Sequence, residues 1–281
     1  MKILVTGASG QLGRAVCAEL SREGVPFIPA GRREFSLTDP EAIDAFVRTS
    51  APDAIIHCAA WTDVDRAELE PEQCMAVNAM GTTLLTHAAN RVEARMLLVS
   101  TDYVFSGDQA EPFRPSDERA PCSIYGLSKL QAEEAVRSLS KRSYIVRTSW
   151  LFSADGNNFV RKILRAGREN RSIRVVCDQV GCPTYAPDLA AFLCRLIRTE
   201  RYGIWHAVGS AACTRADFAA AILRAANLPC QVIPVPTVAN PSAARRPLNS
   251  RLETADPDSL LPDWQSGLQR CITEMKRRGE L

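Results

Sequence analysis

Tyr125-Gly126-Leu127-Ser128-Lys129 sets a phenol and an ammonium four residues apart, a spacing that puts both on one face of a helix. A free tyrosine titrates near ~10, and a nearby lysine charge stabilises the phenolate, drawing the group toward the range of a useful acid or base. Tyr-x-x-x-Lys also occurs by chance on exposed helices, so its surroundings decide. Ser100-Thr101-Asp102-Tyr103-Val104-Phe105 follows an apolar run from Met96 that reads as a buried strand. Thr101 then falls at the strand's carboxyl edge, where a hydroxyl can polarise a carbonyl or simply cap a turn.

A second chemical signal lies at the N-terminus. Thr6-Gly7-Ala8-Ser9-Gly10-Gln11-Leu12-Gly13 follows Ile3-Leu4-Val5 and opens a helix marked by Leu12, Val16 and Leu20. Glycines there let the backbone turn sharply and approach a pyrophosphate at the helix N-terminus, although a tight strand-to-helix turn needs glycine for structural reasons too. Gly7, Gly10, Gln11, Leu12 and Gly13 are the candidate contacts. After the next strand, where an NAD site would offer an acid to the ribose, the chain has Ala30-Gly31-Arg32-Arg33. Arg32 and Arg33 suit a 2′-phosphate and favour NADPH, while Glu34 beside them leaves NADH open. Cys58-Ala59-Ala60-Trp61-Thr62 follows another strand, and its small side chains would let a cofactor lie across the sheet edge or a helix pack closely.

These groups need a scaffold. Ile3 to Val5, Val25 to Pro29, Ala54 to Ile56, Met96 to Ser100 and Tyr144 to Arg147 read as short buried strands alternating with helices, the pattern of a Rossmann-like, doubly wound α/β parallel sheet. Beyond Trp150 the regularity loosens, with helices around Phe159 to Arg168, Asp188 to Arg198 and Arg215 to Ala226, which implies a smaller C-terminal α/β substrate-binding lobe. The expected division is 1–149 plus about 171–208 for the NADP-binding unit, and about 150–170 plus 209–281 for the lobe. Pro229 to Ser250 holds five prolines and reads as an ordered loop.

Composition sets the outer limits. A chain of 281 residues, 46% hydrophobic and 23% charged with a net charge of +2, suits a globular protein and marks no surface for nucleic acid or anionic membrane. No apolar run reaches the length of a membrane span, and the glycine loop begins too early for a signal peptide, so a cytoplasmic protein is expected. Ten cysteines are scattered without a Cys-x-x-Cys pair, and His57, His87 and His206 lie far apart, so no metal is expected.

Ser100 to Phe105, Tyr125 to Lys129, Arg147 to Trp150, Gly156 to Phe159, Asp178 to Thr184 and Arg246 to Leu252 stand in an order and spacing that resemble the dTDP-4-dehydrorhamnose reductase family. That family is a branch of the extended short-chain dehydrogenases/reductases, and the resemblance covers nearly the whole chain. It implies NADPH-dependent reduction of the C4 keto group of dTDP-4-dehydro-β-L-rhamnose to dTDP-β-L-rhamnose. Thr101 and Tyr125 would hold the C4 oxygen, and Lys129 would bind the nicotinamide ribose and tune Tyr125. Ala59, Ala60 and Thr62 would lie beneath the ribose and phosphates, with Asn78 at a matching helix position. Tyr103 and Trp150 would line the sugar pocket and Arg246 would meet the diphosphate or nucleotide, though core aromatics and a surface arginine are the ordinary alternatives.

Departures from the family carry expectations as well. Ala15 and Pro187 stand where some relatives carry glutamates that join two subunits through magnesium, so a monomer or homodimer without a metal bridge is expected. Ser36 replaces an aspartate that many relatives place near the adenine. The competing readings are a reductase of another nucleotide-4-keto-deoxyhexose and a non-catalytic NADP-binding regulatory subunit. The intact Thr101, Tyr125 and Lys129 speak against the second.

Overall fold

The computed structural model describes residues 1–239, 242–254 and 256–281. Its strands are β1 (Ile3–Thr6), β2 (Phe27–Ala30), β3 (Ala54–His57), β4 (Arg95–Thr101), β5 (Ser143–Thr148), β6 (Leu151–Phe152), β7 (Ser172–Val176), β8 (Val180–Gly181), β9 (Thr184–Tyr185), β10 (Gly203–His206), β11 (Val208–Ser210), β12 (Cys213–Thr214), β13 (Gln231–Val235), β14 (Asn249–Ser250) and β15 (Leu260–Asp263). Its helices are α1 (Gln11–Arg22), α2 (Pro40–Ser50), α3 (Val64–Leu69), α4 (Pro71–Met75), α5 (Gly81–Arg91), α6 (Ile124–Leu139), α7 (Phe159–Glu169), α8 (Ala186–Leu196), α9 (Arg215–Ala225) and α10 (Trp264–Arg277), with a π-helical turn at Ala76–Met80.

Side chains alternate across a strand, so a strand buried on both faces must be apolar throughout. In β1, Ile3 and Val5 enter one core with Leu12, Val16 and Leu20 of α1 and Leu189 and Leu193 of α8. Leu4 points the other way, toward Ile43 and Val47 of α2, Leu85 of α5 and Val136 of α6. β3 repeats the division, with Ala54 and Ile56 on the first side and Ile55 on the second. The result is a six-stranded parallel sheet in the order β2-β1-β3-β4-β5-β10, covered on both faces, as expected of a Rossmann-like fold. The strand order reverses between β1 and β3, and in such sheets the crevice beyond that pair is where ligands bind.

A second core gathers Phe152, Val160, Ile163, Leu164, Phe218, Ile222, Trp264 and Leu268 from β6, α7, α9 and α10. β7, grouped from sequence with the first unit, instead pairs with β13 and buries Val175 in this second core. The expected loop from Pro229 to Ser250 includes Asn240 and Pro241, which lie outside the described residues, and within it Gln231–Val235 forms β13. Five prolines in this stretch had suggested a loop, and Pro234 is one of them. At an edge, a residue without an N–H costs little, because no ladder bond is forfeited on the open side.

One buried ion pair ties the catalytic elements together. Arg147 of β5 and Glu133 of α6 are both fully buried, with Nε 2.9 Å from Oε1 and Nη2 2.8 Å from Oε2. Ser100, the register partner of Arg147 on β4, donates to the same Oε1 at 2.6 Å, and Arg147 also donates to the Pro115 carbonyl at 3.1 Å. His206 faces the guanidinium at 3.3 Å, and its imidazole is pushed down to about 3 by burial and then by the Arg147 charge, so it accepts in the neutral form. Removing one partner of such a pair leaves an uncompensated buried charge, a loss of about 3–5 kcal/mol. Arg147→Met should therefore destabilise the protein by about that amount in urea denaturation, and Arg147→Met/Glu133→Leu should recover most of it. A single variant within about 1 kcal/mol of wild type would contradict this reading.

Candidate active site at the carboxyl edge of the sheet

The glycine loop leaves β1 at the crevice. Gly7 has φ +66°, and a Cβ there would lie 2.6 Å from the Ala59 nitrogen and 2.7 Å from its Cα, so both conformation and space demand glycine. A Cβ on Gly13 would sit 2.1 Å from the Gly7 carbonyl oxygen, which explains how α1 seats so tightly on the loop. Gly10 is the N-cap of α1, and no side chain caps that helix. Its first-turn amides and the positive end of its dipole thus face the crevice, the arrangement that holds a phosphate.

Other predicted cofactor residues fall around this loop. Leu12 is buried in the first core, and the Gln11 side chain is occupied, with Oε1 accepting from Asn158 Nδ2 at 3.2 Å. Each can therefore offer only its backbone N–H. Arg32 and Arg33 are exposed beyond β2, and among the described residues neither forms a side-chain hydrogen bond or ion pair. The Glu34 carboxylate turns onto the chain, accepting from the Gly31 N–H at 2.6 Å. Ala59 and Ala60 are half-buried, Ala59 packing directly against Gly7, and Thr62 is exposed. Asn78 is buried and holds this strip: Oδ1 accepts from the Trp61 N–H at 2.7 Å, and Nδ2 donates to the Trp61 carbonyl at 3.1 Å and Ser128 Oγ at 2.9 Å.

The reaction centre is assembled by α6. Ser123 caps it by accepting from the Gly126 N–H at 3.1 Å. A Cβ on Gly126 would fall 2.2 Å from the Tyr103 carbonyl oxygen, so glycine lets α6 press against the 3-10 turn Asp102–Val104 that follows β4. Thr101, Tyr103, Tyr125 and Lys129 are thereby brought together, with the Tyr103 and Tyr125 rings edge to face at 5.5 Å. Lys129 is buried and donates to the Val99 carbonyl at 2.8 Å, and burial lowers it to about 8 against the opposing pull of Glu133.

The sequence led us to expect a lowered Tyr125. Instead, burial pushes the phenol above its ordinary value, outweighing the Thr101 hydroxyl, which acts in the opposite direction, and the Asp102 carboxyl pushes it higher still. The lysine charge is turned toward Val99 and does not counter the desolvation. Tyr125 is thus held protonated at neutral pH, ready to give a proton rather than to take one.

The C-terminal lobe closes over this centre. Arg246 donates to Tyr103 Oη at 3.2 Å and to Asp65 at 2.6 Å, so it sits at the pocket wall rather than on open surface. Trp150 has φ +47°, and its indole packs on Gly181, where a Cβ would come within 2.4 Å of the ring. Sequence reasoning passed over Asp102, although it lies inside a quoted motif. It is buried, its Oδ1 accepts from Thr101 Oγ1 at 3.0 Å, its Oδ2 has no partner, and burial raises it to about 6. Arg215, whose guanidinium lies 3.5 Å above the Trp150 ring, was passed over as well. The only local signal was the capping box Thr214 to Asp217, which announces a helix and no chemistry.

Comparison with known proteins adds an independent line. The family profile described as "RmlD substrate binding domain" matches residues 1–277. The chain is 35% identical to a dTDP-4-dehydrorhamnose reductase of Sinorhizobium fredii, covering 100% of this chain and 99% of that one. It is 37% identical to the enzyme of the same name from Escherichia coli K12, covering 98% of each. A crystal structure of dTDP-4-dehydrorhamnose reductase from Bacillus anthracis in complex with NADP superposes with a TM-score of 0.94 at 38% identity, covering 97% of this chain and 99% of that one.

The Lys129 environment predicts a pH dependence of stability. An unfolded lysine keeps its proton to ~10.4, whereas the folded Lys129 releases it at about 8, so between these values the unfolded chain binds more protons. The penalty for burying this charge is full below pH 8 and is relieved as pH rises toward 10.4. Lys129→Met should remove that rise, so its stability advantage over wild type in urea denaturation should shrink between pH 7.5 and pH 10. An advantage that stays constant over that range would contradict the assignment.

Proposed function

The chain belongs to the RmlD substrate-binding family, and from that premise we propose that it is a dTDP-4-dehydrorhamnose reductase, using NADPH to reduce the C4 keto group of dTDP-4-dehydro-β-L-rhamnose to dTDP-β-L-rhamnose. One observation carries the reading. Tyr125, a half-buried phenol, stands beside Thr101 and one helical turn before Lys129, at the carboxyl edge of the same sheet whose first strand leads into the glycine loop.

The residues present fit the cofactor. Gly7, Gly10 and Gly13 let the loop fold tightly against Ala59 and the start of α1, and the backbone N–H groups of Gln11 and Leu12 would hold the diphosphate. Ala59, Ala60 and Thr62 form the opposite wall, and Arg32 and Arg33 supply cations for a 2′-phosphate while Glu34 is occupied by the main chain. When bound, NADPH supplies a hydride to the C4 carbon. Thr101 would turn its single hydroxyl proton from Asp102 to the C4 oxygen and so polarise the carbonyl. Tyr125 gives its proton to that oxygen as it becomes an alkoxide, and the high affinity of the phenol for its proton keeps the acid form loaded at neutral pH. Lys129 turns its ammonium from the Val99 carbonyl to the ribose, where its charge stabilises the phenolate that remains.

Tyr103 and Trp150 line the sugar side of this pocket, and Arg246, fixed by Asp65 and Tyr103, faces the nucleotide diphosphate. We read the chain as a monomer or a homodimer without a metal bridge, since Ala15 and Pro187 stand where some relatives carry the bridging glutamates. Among the described residues no helix is long and apolar enough to cross a membrane. NADPH and nucleotide-sugar chemistry fit a cytoplasmic enzyme.

The test is NADPH oxidation with freshly generated dTDP-4-dehydro-β-L-rhamnose, run beside NADH and a panel of other nucleotide-keto-sugars, with the C4 configuration of the product determined. Turnover to dTDP-β-L-rhamnose, faster with NADPH than with NADH, is expected. Turnover confined to another keto-sugar would overturn the substrate and keep the chemistry. Cofactor binding without turnover of any of them would point to a regulatory subunit.

A further inference from the structure

We propose that Arg215 is a second guanidinium of the substrate diphosphate site, opposing Arg246 across the pocket. The proposal rests on the reading that the ligand is a nucleoside-diphosphate sugar.

The first observation is a charge without a partner. Arg215 is half-buried, yet among the described residues its guanidinium makes no hydrogen bond and has no carboxylate within ion-pair distance. Burial lowers it to about 10, with the carboxyl of Asp102 and the phenol of Tyr103 supporting the charge and Arg246 opposing it. A guanidinium removed from water is expected to find an acid, and Arg246, by contrast, has Asp65. Arg215 also occupies the first position of α9, where the helix dipole disfavours a cation, and Asp217, the acid of that turn, is engaged by Thr214.

The second observation is placement. The antiparallel β12–β8 and parallel β8–β14 ladders set Thr214 and Asn249 on either side of Val180. Neighbouring strands are about 4.8 Å apart, so Thr214 and Asn249 lie roughly 10 Å from each other, with Arg215 the residue after the first and Arg246 three residues before the second. Side chains of that length converge readily on one diphosphate between them. The Arg215 backbone is fixed by its N–H donating to the Gln179 carbonyl at 3.2 Å. Its guanidinium carbon lies 3.5 Å from the centre of the Trp150 ring and 5.2 Å from that of Phe159, a contact that restricts its movement while its N–H groups stay free of protein partners among the described residues. A planar fork held in this way is suited to two phosphate oxygens. The substrate's negative charge would supply the counter-ion that the fold withholds, and the sugar would then extend from the diphosphate toward Trp150, Thr101 and Tyr125.

The experiment is calorimetric titration of dTDP and, separately, of NADPH into wild type, Arg215→Met and Arg215→Lys, each at low and high salt. Hydrogen bonds to a charged group correspond to roughly 10–100-fold in affinity. Arg215→Met should weaken dTDP by about that factor, leave NADPH within about twofold, and flatten the salt dependence of dTDP binding because one phosphate-facing charge is gone. Arg215→Lys should recover part of the affinity, and with the keto-sugar KM should rise far more than kcat falls. Unchanged dTDP binding in Arg215→Met, or a loss with the wild-type salt dependence retained, would overturn the proposal, the latter indicating that Arg215 acts only by packing on Trp150. If wild type prefers another nucleoside diphosphate and Arg215→Met weakens that one, the thymidine part of the proposed function fails and the diphosphate site stands.

Discussion

A guanidinium and a carboxylate with no access to water hold together three elements, two of which carry the candidate catalytic residues. Arg147 brings β5, Glu133 brings α6, and Ser100 adds β4 by donating to the same carboxylate. Thr101 is the next residue after Ser100, and Lys129 precedes Glu133 by one helical turn. The pair therefore sets the separation between the hydroxyl at the strand edge and the helix bearing phenol and ammonium. It also helps Lys129 remain charged, since Glu133 opposes the effect of burial on that group. In a low-dielectric interior, satisfied networks of this sort rigidify a site and half-satisfied ones disrupt it.

Around that fixed centre, polar contacts join the first unit to the C-terminal part, beside an apolar cluster that packs Val104, Phe105 and Phe113 with Leu252. Gln11 of the glycine loop accepts from Asn158 at the start of α7, and Arg246 reaches both Asp65 and Tyr103. These contacts connect the cofactor loop, the turn after Thr101 and the C-terminal lobe. The quoted motifs Gly156 to Phe159 and Arg246 to Leu252 thus contribute bridging side chains, which accounts for polar residues recurring in parts of the chain that are otherwise built to bury apolar surface.

Much of this was legible in the sequence where a residue type has only one economical use. Short strands buried on both faces read as unbroken apolar runs, and β1, β3, β4 and β5 lie where Ile3 to Val5, Ala54 to Ile56, Met96 to Ser100 and Tyr144 to Arg147 indicated. The strand Gln231–Val235 was concealed because Pro234 is tolerated only at an edge, which no local pattern reveals. Spacing reports that Lys129 shares a helix face with Tyr125, but not that its ammonium turns to Val99, so that without an oxidised nicotinamide beside it burial sets the direction of the phenol's shift. Arg215 was invisible for a similar reason: its meaning lies in the missing counter-ion and in Trp150 beneath it, both supplied by distant segments.

The central claim is that a Tyr125 kept protonated by its surroundings is the acid of the reduction. The direct measurement is single-turnover NADPH oxidation by Tyr125→Phe in stopped flow, with NADPH affinity determined alongside. Loss of a positioned general acid lowers the chemical step by about 10²–10⁴-fold, so the account predicts a fall of that size with NADPH binding close to wild type. A single-turnover rate within a few-fold of wild type would contradict it and would assign the proton to another group.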